Sequence, residues 1–216
     1  PEFPKAALLL VHGLGEHSSR YVNLAEKFVE AGISVFSFDG RGHGKSEKGK
    51  PTAYYESAED YLKDIDALFG KVKSYSPGLP AFIYGHSMGG GLVAAYVLKY
   101  KPEDANKVSR IPAEVEKYLN DPLVYTEAIP ARTGYELLQL MRYIQSHASE
   151  FDLPVLLIHG SNDGLTNPKG SELLFQKAKS SDKSLQIFLG GYHELINDLD
   201  REEVIQLIVN WVEKRI

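Results

Sequence analysis

The chain has 216 residues, of which 43% are hydrophobic and 25% are charged, and its formal net charge is −5. This length and composition suit one globular domain with a sizeable core. Charges of both signs are interspersed, which argues against a nucleic-acid partner and a polybasic membrane patch. The absence of cysteine excludes disulfides and thiolate metal sites. Since no signal pattern and no membrane-spanning apolar run is present, we expect a cytoplasmic protein, with peripheral contact to membranes left open.

Apolar runs of strand length alternate along the chain with amphipathic helical stretches. The predicted strands are Ala6–Val11, Ile33–Phe38, Pro80–Tyr84, Pro154–His159 and Ser184–Leu189. The predicted helices are Arg20–Ala31, Ser57–Tyr75, Gly90–Tyr100, Pro112–Leu119, Thr133–Ser149, Gly170–Lys179 and Asp200–Arg215. This alternation predicts the α/β class, with a doubly wound, mostly parallel sheet of about five strands covered by helices on both faces.

Local signals mark some helix ends. Gly32 is predicted to cap the end of the first helix. Ser57, with Asp60 three residues on, resembles a capping box at the start of the second. Residues 101–152 are less regular and contain no convincing strand. We expect a single domain over residues 1–216.

The segment Gly85-His-Ser-Met-Gly89 lies between a predicted strand and a buried helix. That context turns a G-x-S-x-G match into a nucleophile elbow, in which a sharp turn exposes the serine hydroxyl. Glycine is needed two places either side of Ser87, because a Cβ there would clash with the neighbouring strand or helix. We therefore predict that Ser87 is the nucleophile.

A serine hydroxyl needs a base to take its proton and an acid to orient that base. In this kind of fold the order along the chain is serine, acid, histidine. Asp163 follows the strand that ends at His159, and His193 follows the last strand. Asp39 is a rival acid, but it precedes the serine. We predict the triad Ser87, Asp163 and His193.

Catalysis also needs donors for the developing oxyanion. The backbone N–H of Met88, directly after the nucleophile, is one candidate, and the loop His12-Gly-Leu-Gly15 supplies Leu14 as the other. An ordinary strand-to-helix turn is the alternative for that loop. The glycine-rich loop Asp39–Ser46 fails both nucleotide-binding patterns and is predicted to be structural. No metal-binding spacing occurs, and the mechanism needs no cofactor.

With these residues placed, the chain resembles the monoacylglycerol lipase family of α/β-hydrolases, which includes related lysophospholipase-type esterases. The resemblance rests on five segments: His12–Tyr21 (HGLGEHSSRY), Asp39–Ser46 (DGRGHGKS), Gly85–Gly90 (GHSMGG), His159–Asp163 (HGSND) and Tyr192–Leu195 (YHEL). It implies hydrolysis of long or medium acyl esters, with monoacylglycerol as the leading substrate. It gives the triad and the donors Leu14 and Met88 the roles named above.

The resemblance also implies polar substrate-binding positions near the glycerol end of the pocket. It places Glu16 and Arg20 there. His12 and Gly13, in the loop after the first strand, are further candidate substrate-binding residues. For Glu16 and Arg20 a salt-bridged structural pair is an equal alternative.

Family members usually carry a strand pair before the first strand found here. After the elbow helix they have a further strand and then a helical cap. The join near Lys107–Val108 therefore resembles a deletion or an absent segment, with residues 101–150 as remnant cap and connecting helices. Short-chain carboxylesterase and lysophospholipase activities are alternatives. A ligand-binding receptor or a minimised, inactive scaffold remains open as a non-enzyme reading.

Overall fold

A computed structural model describes residues 1–100, 121–125 and 127–216. Its strands are β1 (Ala6–Val11), β2 (Ile33–Ser37), β3 (Ala81–Gly85), β4 (Val155–Gly160) and β5 (Lys183–Phe188). Its helices are α1 (Val22–Glu30), α2 (Ala58–Tyr75), α3 (Met88–Tyr100), α4 (Ala131–His147), α5 (Pro168–Lys177) and α6 (Arg201–Glu213). The predicted strands and helices within the described residues are present, with ends shifted by one or two residues. The start of α1 moves from Arg20 to Val22, because Ser18–Tyr21 forms a separate 3₁₀ turn before it. The predicted helix Pro112–Leu119 and the join at Lys107–Val108 lie outside the described residues.

In the described residues all strand pairs are parallel, and they form two hydrogen-bonded ladders. One ladder has the order β2-β1-β3, and the other pairs β4 with β5. Within the described segments no backbone ladder joins β3 to β4. The five predicted strands are present and parallel, and the α/β class is confirmed.

Side-chain packing still joins the two ladders. Alternate residues of a strand point to opposite faces, and both ladders contribute to the same two cores. Leu9, Ile83 and Leu157 belong to the core under α2 and α3. The residues next to them along the strands, such as Leu8, Phe82 and Leu156, belong to the core under α1 and α6. Helices thus cover both faces, as the near-continuous apolar strands predict.

Two helix ends test the predicted caps. Gly32 has φ +77° and donates its N–H to the Val29 carbonyl, so it ends α1 as predicted. Ser57 precedes α2, but its side chain makes no capping hydrogen bond. The Ala58 N–H instead donates to Glu136 Oε2 of α4 at 3.0 Å. The predicted capping box is wrong, because a carboxylate distant in sequence takes over one of the free amides.

Candidate active site

The serine turn has the geometry of an elbow. Ser87 lies between the end of β3 and the start of α3, and its φ is +50°, a left-handed value that is rare outside glycine. A Cβ at Gly85 would lie 2.4 Å from the Gly89 carbonyl oxygen, and one at Gly89 would lie 2.3 Å from the Val11 carbonyl oxygen. Both obstacles are backbone, so glycine is required at both positions.

The three residues predicted as a triad form one hydrogen-bonded chain. His193 Nε2 lies 2.7 Å from Ser87 Oγ, and His193 Nδ1 lies 2.8 Å from Asp163 Oδ2. Asp163 stands in the turn after β4 and His193 in the turn after β5. The Asn162 N–H donates to the Gly191 carbonyl at 2.8 Å, which joins the two turns. Residues 106 apart in sequence therefore meet at the carboxyl ends of the strands.

The Asp163 carboxylate is held by donors on both oxygens. Oδ1 accepts from the backbone N–H groups of Leu165 (2.8 Å) and Thr166 (2.9 Å). Oδ2 accepts from the Thr166 hydroxyl at 2.6 Å and lies 3.0 Å from His159 Nε2, in addition to His193. Burial by itself raises the pKa of Asp163, but hydrogen bonds from His159, His193 and Thr166 outweigh it and hold the pKa far below its ordinary value. The group is therefore an ionised acceptor for His193.

The loop after β1 runs beside the nucleophile. A Cβ built on Gly13 would lie 3.2 Å from the Cβ of Ser87 and only 2.4 Å from Glu16 Oε1, so a side chain at this position would clash with the buried carboxylate. Leu14 follows in this loop and packs against the core beside α3. Met88 is the first residue of α3, and the first N–H groups of a helix have no acceptor within the helix. Both predicted oxyanion donors thus lie in segments adjacent to Ser87.

Both ring nitrogens of His12 bond to backbone groups. Its ring is fully buried, its Nδ1–H donates to the Gly13 carbonyl at 2.7 Å, and its Nε2 accepts from the Gly40 N–H at 2.9 Å. Burial lowers the pKa of His12, so the ring stays neutral. His12 thus joins the loop after β1 to the loop after β2 through hydrogen bonds. Its substrate-binding role stays a prediction; in this structure both ring nitrogens are bonded to the backbone.

Glu16 and Arg20 form the salt-bridged pair that was the alternative to substrate binding. Arg20 Nε lies 3.2 Å from Glu16 Oε2, and the two side chains are only 5% and 3% exposed. Glu16 Oε1 accepts from the Gly13 N–H (2.7 Å), the Tyr21 hydroxyl (2.6 Å) and His86 Nδ1 (2.6 Å). Both carboxylate oxygens of Glu16 bond to protein groups. The geometry therefore favours a structural salt bridge over substrate binding.

The Glu16–His86 contact is a buried charge pair. Burial by itself raises the pKa of Glu16, but the charge of His86 and hydrogen bonds from His86 and Tyr21 hold that pKa far below its ordinary value. Burial by itself lowers the pKa of His86, and the Glu16 carboxylate more than offsets it. The ring centroids of His86 and His193 are 5.0 Å apart.

Sequence reasoning missed His159, Thr166, His86 and Glu194 as parts of the site. The signal was available for three of them, because His159, His86 and Glu194 stand inside the motifs that carry Asp163, Ser87 and His193. Thr166 had no such signal, since its contact with Asp163 depends on the fold of the turn.

The loop 39–46 is structural, as predicted. Asp39 accepts from the N–H and hydroxyl of Ser18 and from the Lys45 N–H, all within 2.8 Å. In the part of the chain that the structure describes, no group of three His, Cys, Asp or Glu residues could hold a metal ion. No helix within the same residues has the length and apolarity needed to cross a membrane.

Comparison with known proteins places the chain in a family. The model of the Hydrolase_4 family, described as serine aminopeptidase, S33, matches residues 2–108 and 101–200. The chain belongs to this family. Its fold is that of the α/β-hydrolases, with Ser87, Asp163 and His193 at the carboxyl ends of the strands.

Several relatives have names that bear on chemistry. The monoacylglycerol lipase of Mycolicibacterium smegmatis is 30% identical over 97% of this chain and 88% of its own length. The monoglyceride lipase of Homo sapiens is 32% identical over 98% of this chain and 84% of its own length. The crystal structure of Paleococcus ferrophilus monoacylglycerol lipase superposes with a TM-score of 0.86 at 30% identity, covering 99% of this chain and 96% of that one.

Proposed function

We propose that the protein is a serine hydrolase that cleaves carboxylic esters, with monoacylglycerols or similar fatty-acyl esters as its substrates. The observation that carries the proposal is the unbroken hydrogen-bonded chain from Ser87 Oγ through His193 to Asp163. The names of the relatives at 30–32% identity support the lipid ester substrate. The complete chain of contacts favours an enzyme over a binding protein or an inactive scaffold.

The reaction runs in two steps on Ser87. His193 Nε2 takes the hydroxyl proton as Oγ attacks the ester carbonyl, and Asp163 stabilises the imidazolium that forms. The oxyanion accepts hydrogen bonds from the backbone N–H groups of Met88 and Leu14. The C–O bond to the alcohol then breaks, the alcohol leaves with the proton from His193 Nε2, and the acyl group stays on Oγ.

Water releases the acyl group in the second step. His193 takes a proton from the water, whose oxygen attacks the acyl carbonyl, and the tetrahedral adduct collapses. Ser87 regains its proton from His193, and the fatty acid leaves. The ionised Asp163 carboxylate serves both steps, because each one forms the imidazolium. Apart from water, the proposed steps use only groups of the chain itself.

Apolar side chains beside the elbow support a fatty-acyl substrate. A Cβ at Gly91, in the first turn of α3, would lie 2.5 Å from Met141 Cε of α4. Tyr135 and Leu138 of the same helix are half exposed. Met141 therefore puts an apolar group beside the first turn of the helix that follows Ser87. We propose that the protein contacts membrane surfaces transiently through this region to reach its lipid substrate. The cytoplasmic location of the protein stays a prediction.

Turnover of matched esters tests the proposal. We expect release of fatty acid from monooleoylglycerol, hydrolysis of p-nitrophenyl esters, and loss of both activities in Ser87→Ala. Stronger turnover of p-nitrophenyl butyrate than of the palmitate would point to a short-chain carboxylesterase. A folded wild-type protein that hydrolyses none of these esters would contradict the proposal.

A further inference from the structure

The buried carboxylate of Glu16 touches the chain beside each part of the proposed catalytic machinery. It accepts from the N–H of Gly13, the residue before the predicted oxyanion donor Leu14, at 2.7 Å. It accepts at 2.6 Å from His86, the residue before the nucleophile. Through Arg20 it is joined to Glu194, the residue after His193.

These side chains form a hydrogen-bonded cluster. We call it the Glu16 cluster; its members are Glu16, Arg20, Tyr21, His86 and Glu194. Arg20 donates through Nε to Glu16 at 3.2 Å and through one terminal nitrogen to both Glu194 oxygens, at 3.1 and 2.9 Å. Asn197 Nδ2 also donates to Glu194 Oε2, at 3.0 Å, which adds a second restraint on that carboxylate.

Two features argue that the cluster positions catalytic atoms and does not bind substrate. The side chains of Glu16 and Arg20 are 3% and 5% exposed, so they offer almost no surface to a ligand. Ser87 has a strained backbone, with φ +50°, and such strain persists only where the surroundings over-determine it. The bond from His86 to Glu16 restrains the residue next to that strained serine.

We propose that Glu16 and Arg20 are positioning residues that hold the oxyanion loop, Ser87 and His193 in their reactive alignment. This inference rests on the proposed function. The three segments come from loops far apart in sequence, and their relative placement controls the distance between His193 Nε2 and Ser87 Oγ. Because a shift of about 1 Å in reacting groups can cost about 100-fold in rate, the cluster acts on kcat.

The link between Arg20 and Glu194 offers the cleanest test. Glu194→Gln keeps an acceptor oxygen in the same place, whereas Glu194→Leu removes it. With p-nitrophenyl butyrate we expect kcat to fall about 30-fold in Glu194→Leu and in Arg20→Met, and to stay within about threefold of wild type in Glu194→Gln. KM should change less than about twofold in all three. The rate of labelling by a fluorophosphonate should fall in parallel with kcat.

A double variant and a control separate alignment from stability. Arg20→Met combined with Glu194→Leu should lose less than the product of the two single losses, because both changes break the same link between Arg20 and Glu194. Arg215→Met breaks another ion pair, with Asp182 just before β5 at the opposite end of the strand from His193. It should lower Tm and leave kcat unchanged.

Several outcomes would overturn the inference. A raised KM with wild-type kcat in Arg20→Met would assign the residue to substrate binding. A lowered Tm with wild-type kcat would make the pair merely structural. Losses that multiply in the double variant would exclude a shared link. If Arg20→Met does not fold, the Glu194 variants decide the matter. If Ser87→Ala keeps full turnover, the proposed function fails and the inference with it; if Ser87→Ala is inactive and the cluster variants match wild type, only the inference fails.

Discussion

Replacing Asp163 with asparagine should disable the base without disturbing the fold. Asp163 Oδ1 accepts two backbone N–H groups, and Oδ2 faces His193 Nδ1 together with the Thr166 hydroxyl. Asparagine has a single acceptor oxygen. Placing that oxygen at the Oδ1 position keeps the two backbone bonds, each worth about 1 kcal/mol. The amide NH₂ then points at His193 Nδ1.

That orientation imposes the wrong tautomer on the histidine. Nδ1 must accept from the amide, so the ring proton moves to Nε2, which faces Ser87 Oγ at 2.7 Å. An Nε2 that already carries a proton cannot take the serine proton, and no carboxylate remains to stabilise the imidazolium. We expect kcat to fall by about 10³ to 10⁴, which corresponds to about 4–5 kcal/mol of transition-state stabilisation.

The assay is steady-state hydrolysis of p-nitrophenyl butyrate, with Tm measured on the same samples. Asp39→Asn is the matched control, because Asp39 was the rival acid and its carboxylate is bound by Ser18 and Lys45. We expect this control to keep its activity within about threefold of wild type. Activity of Asp163→Asn within tenfold of wild type, or a larger loss in Asp39→Asn, would refute the assignment of the acid.

Two further predictions concern stability. Gly85→Ala puts a Cβ 2.4 Å from the Gly89 carbonyl, so we expect about 2–3 kcal/mol of destabilisation and a Tm lowered by about 5–10 °C in a thermal scan. Gly70 lies on α2 with open space around it, so Gly70→Ala should instead stabilise the folded protein by up to about 1 kcal/mol. Equal effects of the two changes on Tm would contradict the elbow geometry. Burial lowers the pKa of His43 to about 4 in the folded protein. Below about pH 6.5 the unfolded chain therefore binds a proton at this residue that the folded ring does not bind. The free energy of unfolding falls as the pH drops from about 6.5 to about 4. Urea unfolding should therefore show about 2 kcal/mol less stability at pH 5 than at pH 7 from this residue, and His43→Leu should lack that part of the pH dependence.

The strands and the order of the triad could be predicted because they depend on local patterns. Ala6–Val11 is a continuous apolar run, and a run of that kind favours a strand buried on both faces whatever follows it. Asp163 and His193 were found from their places after strands, because the carboxyl ends of parallel strands meet at one edge. Neither prediction needed knowledge of side-chain contacts.

Contacts between distant residues could not be predicted in the same way. Arg20 meets Glu194 across 174 positions, and the amide at the start of α2 meets Glu136 across 78. Such pairings depend on how the elements pack, which no local pattern records. The division of the strands into two ladders is of the same kind, since it concerns which strands become neighbours.

The position of the covalent adduct tests the account most directly. The wild-type protein is incubated with a fluorophosphonate, digested, and mapped by mass spectrometry. We predict one adduct per chain, on the peptide that contains Ser87, with labelling strongly slowed in Asp163→Asn. A folded protein that takes up no label, or takes it up on another serine, would contradict the account.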